Sequence, residues 1–68
     1  MVDDSRTGDL AFFINEEKRV AHVGIVLPGK QIIHAHGFVR IDKLDHFGIY
    51  NEQKKKYTHK LKVIRRVL

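Results

Sequence analysis

Apolar and polar positions in this chain fall into short blocks, and most of the blocks read as strands. Residues 9–14 form a brief apolar run between polar neighbours, the pattern of a buried strand. Val20–Leu27 is rich in β-branched side chains and predicts the strongest strand of the chain. Pro28-Gly29 marks a turn, and Gln31–His36 resumes as a strand that residues 38–41 extend beyond Gly37. Residues 42–50 mix Asp, His and Gly and read as a loop. Residues 51–57 allow a helical turn but carry no apolar stripe. From residue 60 to the end, charged and apolar side chains alternate (Lys60 and Lys62 against Leu61 and Val63), predicting a half-buried strand. The pattern therefore predicts four or five strands, a mainly β unit, with residues 1–7 as a disordered segment or loop.

Length narrows the picture. The chain has 68 residues, enough for one domain. A unit of that size buries only about 60% of its unfolded surface and usually needs a disulfide, a metal or a partner to be secure. There is no Cys, so neither a disulfide framework nor a thiolate zinc site is available. No apolar run approaches the roughly 20 residues of a membrane span. The N-terminus lacks the basic, apolar and small-residue pattern of a secretory signal.

Charge adds an asymmetry. Thirteen Lys and Arg against eight Asp and Glu leave a net +5, and the whole excess lies near the C-terminus. Lys54, Lys55, Lys56, Lys60, Lys62, Arg65 and Arg66 face only one acid there, Glu52. Such a segment reads either as a solvated face or as a small basic module for nucleic acid or another anionic polymer. Nucleic acid would call for stacking aromatics among the charges, and only Tyr50 and Tyr57 are near.

Candidate chemistry lies in three histidines. His22, His34 and His36 fall in adjacent predicted strands. Each could be a satisfied core ring, or a proton carrier suited to neutral pH. Placing His22 opposite His34 centres the hairpin on Pro28 and needs a loop of odd length, such as Leu27-Pro28-Gly29 or a five-residue version. A two-residue Pro-Gly turn would put the two rings on opposite faces. Pro-Gly favours a type II turn, which suits a two-residue hairpin poorly, so a longer loop with a bulge at Gly29 is expected. His36 then shares the face of His34. A common face permits a hydrogen-bonded His–His pair acting as an oriented base, or an imidazole metal site. Zinc would need a third ligand, and Asp42, Asp45 or His46 could serve only if the loop folded back. The spacing matches no standard zinc pattern, so no metal and no cofactor is expected.

The segments Gly8-Asp9-Leu10-Ala11-Phe12-Phe13, His22-Val23-Gly24-Ile25 and Ile33-His34-Ala35, in that order, resemble the NlpC family of cell-wall cysteine peptidases. The ending Arg65-Arg66-Val67-Leu68 resembles the last strand of that family. Gly37-Phe38-Val39-Arg40-Ile41-Asp42 and residues 60–68 look most like the branch that cleaves γ-D-glutamyl–diamino acid bonds in peptidoglycan stem peptides. The resemblance covers most of residues 8–68, which would then be the C-terminal part of a peptidase domain. It implies a papain-like α+β domain whose helical half carries the nucleophilic Cys and whose antiparallel sheet half carries the base.

By position, the resemblance makes His22 the general base and His34 its orienting residue. His36 lies just past the motif, where it could meet substrate at the cleft. Gly8 and Asp9 match a structural strand. The implied setting is the cell envelope or periplasm. This chain departs from the pattern in one respect that matters: it has no Cys, and only seven residues precede Gly8. It therefore reads as the sheet half of a peptidase, from a truncated gene or a split enzyme, and inactive by itself. Without helices, its inner sheet face should lie open, inviting self-association through that face or the strand edges.

Overall fold

The structure, a computed structural model, describes residues 5–66. Six strands follow one another: β1 Leu10–Ile14, β2 Val20–Leu27, β3 Gln31–His36, β4 Phe38–Leu44, β5 Gly48–Asn51 and β6 Lys56–Arg65. Each pairs antiparallel with the next, and β6 returns to pair with β1, closing a barrel. The fold is mainly β, and no helix occurs among the described residues.

Turn chemistry explains the short connections. The side chain of Asn15 accepts the backbone N–H groups of Glu17 and Arg19, closing β1–β2. Asp45 does the same for Phe47 and Gly48, and Asn51 for Lys54. Short polar side chains that bond to backbone two to four residues on are the usual means of stabilising such turns.

Three expectations about elements are corrected. Residues 38–41 do not extend β3. Gly37 has φ +77°, a conformation that glycine alone adopts cheaply, and His36 and Phe38 become cross-strand partners around it. The expected loop over residues 42–50 contains the end of β4 and most of β5. Residues 51–57 form a turn and the start of β6, not a helical turn. The β-strand at the C-terminus begins at Lys56, and its expected continuation through residues 67–68 lies outside the described residues, as does the expected loop over residues 1–4.

The β2–β3 loop has the odd length expected, but one residue further along. It comprises Pro28, Gly29 and Lys30, because Leu27 pairs with Gln31. The ladder runs from there without a register shift, so the bulge expected at Gly29 is absent. The register shifts instead on both edges of β1 and between Ile49 and Tyr50 of β5, with the extra residue each time in the facing strand: Ala21 in β2, Lys62 and Thr58 in β6. Bulges sharpen local twist and let a small sheet curl. That curling corrects the expectation of an open inner face, because the opposite wall of the barrel covers it. The edges expected to invite self-association are likewise paired with each other, β1 to β6.

Ala11, Phe13, Val26, Ile32, Leu44, Ile49 and Leu61 form the buried apolar cluster, with Ile64 packed against it. Gly48 is fixed by close approach. It has φ +150°, and a Cβ there would meet the backbone oxygen of His59 at 1.7 Å. A glycine at this point lets β5 cross tightly against β6 just where β6 carries His59.

β4 reverses the usual sheet pattern. Its Arg40, Asp42 and Leu44 are shielded, whereas Val39 and Ile41 are 67% and 54% exposed. Side chains alternate faces along a strand, so a register that buries Leu44 also turns the two charged residues inward. They must then find partners, because an unpaired buried charge is expensive.

Candidate active site

Arg40 and Asp42 pair with each other, and Asp42 also bonds a histidine. His34 is opposite Arg40 across β3–β4 and opposite Gly24 across β2–β3. Its ring is almost fully buried and bonded on both nitrogens. Nε2 lies 2.7 Å from Oδ2 of Asp42, and Nδ1 lies 2.8 Å from Nε2 of His22. Asp42 also accepts from Nη2 of Arg40 at 3.0 Å. The Nε of Arg40 is 2.7 Å from the same carboxylate but misaligned, a charge contact without a hydrogen bond.

The charge state of Asp42 sets every proton along this line. Burial raises its pKa, but the hydrogen bonds from His34 and Arg40 and the Arg40 charge outweigh that, and the carboxyl is held below its usual range. An ionised carboxylate only accepts, so Nε2 of His34 donates. In that tautomer Nδ1 of His34 is the acceptor toward His22. His22 must donate to it through Nε2, which leaves Nδ1 of His22 bare. The relay thus selects the tautomer in which Nδ1 of His22 can take up a proton.

His22 stays neutral at neutral pH. Its pKa is lowered first by burial, then by repulsion from a charge on His34 or His36. A fourth ring, His59 of β6, stacks on it, with centroids 4.1 Å apart and planes 23° apart. Burial, reinforced by His22, His34 and His36, pushes His59 down to about 4. Phe13 touches both His22 and His59, walling the cluster on the core side.

The rings open onto a groove of about 950 Å³, lined in part by His22, His36, His59, Phe47, Tyr57 and Leu61. His36 is exposed at its rim, with its ring 5.0 Å from that of His59. The sequence-predicted pair, His22 and His34, is therefore brought into direct contact, with His36 on the same side.

The three residues weighed as a third zinc ligand go elsewhere. Asp42 serves His34, Asp45 closes its own loop and accepts from the hydroxyl of Tyr57, and His46 lines the groove. Asp9, expected to be structural, is buried and accepts the backbone N–H of Arg6. The basic residues 54–56, 60, 62, 65 and 66 all lie exposed, on the β5–β6 turn, along β6 and just beyond it.

His59 was not singled out from the sequence. The predicted C-terminal strand starts one residue after it. Continuing the alternation backwards from the buried Leu61 would have placed His59 on the same inner face.

A carboxylate, an imidazole and a second imidazole in line are an arrangement that can hold and move a proton. The sequence model of the NlpC/P60 family matches residues 1–66, and the chain belongs to that family of cysteine peptidases. Comparison with curated proteins and comparison with solved structures each gave no match.

Proposed function

We propose that this chain is the acid–base half of a peptidoglycan stem-peptide endopeptidase acting on γ-D-glutamyl–diamino acid bonds. The observation that carries the reading is the line Asp42–His34–His22, which presents His22 as a neutral base with Nδ1 unprotonated. In the reaction, His22 takes the proton of a cysteine thiol, and the thiolate attacks the scissile carbonyl carbon. The resulting imidazolium protonates the departing amine, and His22 then activates the water that frees the acyl group. His34 holds the His22 ring, Asp42 holds His34, and His36 contributes at the groove rim to substrate binding.

The 68 residues contain no Cys, so the thiol is supplied by a segment or chain outside them, and these residues alone are inactive. The substrate's place in the cell wall makes the envelope the working compartment. The partner is the stem peptide, and the exposed apolar side chains outside the barrel are available for the Cys-bearing half.

The test uses a diamino-acid stem peptide and a Cys-bearing N-terminal half from a family member, added in trans. Hydrolysis is expected only from the mixture, falling by at least about 100-fold with His22→Ala, within the usual range for a lost general base. Hydrolysis by this chain alone, or unchanged activity of the reconstituted His22→Ala protein, would refute the assignment.

A further inference from the structure

We propose that His22, His34 and His59 form a zinc site, in which one divalent ion is held by three imidazole nitrogens beside the groove. One nitrogen from each ring lies within 4.8 Å of the other two. Three neutral histidines with a fourth position open to a cleft are a donor set that zinc accepts.

The structure already contains the support such a site needs. His34 donates through Nε2 to Asp42, so its Nδ1 offers a lone pair into the cluster. A ligating histidine backed by a carboxylate on its other nitrogen is the usual outer arrangement of a metal site. Phe13 supplies an apolar wall behind His22 and His59. The groove supplies access, and His36 stands at its rim beside His59.

Three adjustments are required. Zinc–nitrogen bonds of about 2.0–2.1 Å in a tetrahedral site separate neighbouring nitrogens by roughly 3.3 Å. The 2.8 Å contact between His22 and His34 must therefore open slightly, and the proton on Nε2 of His22 moves to Nδ1 so that Nε2 can ligate. The rings of His22 and His59 are stacked, and two nearly parallel rings cannot both point in-plane at one ion. His59 must tilt, which its half-exposed position at the groove allows. Zinc would thus occupy the nitrogen that His22 uses to bond His34, and would hold a proton on the nitrogen that the relay leaves bare. Occupancy and base function exclude each other.

The experiment titrates the tag-free 68-residue chain with Zn²⁺ by calorimetry, and with Co²⁺ by visible absorption. Expected are one saturable site, tetrahedral Co²⁺ bands, and NMR shifts of the His22, His34 and His59 ring protons with His46 unmoved. His22→Ala and His59→Ala should each weaken binding by at least about 100-fold. Asp42→Asn should weaken it by about 10–100-fold, the usual effect of losing an outer-sphere partner. Circular dichroism checks the fold of each variant, and His59→Gln replaces His59→Ala if the latter unfolds. Absence of saturable binding below millimolar Zn²⁺ overturns the proposal. So does wild-type affinity in a folded His59 variant. The site does not depend on the peptidase reading, since zinc binds the chain alone whereas hydrolysis needs the external thiol.

Discussion

The inside of this barrel holds two neighbourhoods of opposite character. One is the apolar cluster of Ala11, Val26, Ile32, Leu44, Ile49 and Leu61, where each side chain is replaceable by another of similar volume. The other is the line Arg40–Asp42–His34–His22, with His59 stacked beside it, where each member fixes the proton or charge of the next. Phe13 belongs to both, fully buried in the first and in ring contact with the second. The contrast shows how a very small interior can contain a polar site: it is admitted only as a connected chain, because low dielectric penalises any member left alone.

Removing the residue shared by both neighbourhoods should do the most damage. Phe13→Ala is expected to cost about 3–5 kcal/mol, which for a domain this small means loss of the cooperative urea transition. A normal transition in that variant would show that the two regions do not depend on each other.

Cutting the polar line comes next. Asp42→Ala strands Arg40 and removes the anchor of His34, and breaking a shielded ion pair of this kind costs about 3 kcal/mol. Asp42→Asn, which keeps shape and an acceptor, should cost clearly less in the same urea assay. Equal costs for the two variants would place the effect in packing and not in charge.

Acid separates the neighbourhoods by another route. His59 titrates at about 4 in the fold against an ordinary 6.5, so the unfolded chain takes up the proton first. The stability it contributes is full above about pH 6.5 and is lost as pH falls toward 4. His22, also lowered, works in the same direction, and Asp42 adds its loss only as pH falls below the ordinary Asp value of 3.8. The urea midpoint should therefore decline between pH 7 and 4.5, and His59→Gln should flatten the decline. An unchanged slope in that variant would remove His59 from the account.

The smallest effect belongs outside the barrel. Val39→Ser and Ile41→Ser lie on the exposed side of β4 and should each shift stability by no more than about 0.5 kcal/mol. A larger loss, measured with the same urea transitions, would mean that the outer face is buried in solution against another surface.

Much of this was legible in the residues themselves. Local signals located β2 to the residue and the start of β3, because β-branched runs bounded by Pro-Gly need no distant information, whereas the end of β3 at Gly37 was run through. An odd-length loop, expected because Pro-Gly suits a two-residue hairpin poorly, put His22 and His34 on one face, and alternation survives the observed shift of register by two. The family resemblance carried by residues 8–13, 22–25 and 33–35 was equally local, and the match over residues 1–66 bears it out.

What the sequence left open depended on long-range pairing. β4 could not be recognised as a separate strand, because its outward Val39 and Ile41 imitate core positions while its inward Arg40 and Asp42 imitate a surface. Only the partners that neutralise them, met through folding, make that orientation affordable. Asp42 looked like a loop residue for the same reason. His59 joined the cluster because Gly48 lets β5 approach β6 and β6 closes onto β1, contacts between residues far apart in the chain. The sequence determined which side chains could carry protons and on which face of β2 and β3 they lie. Closure of the barrel decided which of them meet, since cross-strand distance is set by register and curvature, and neither is written in any single segment.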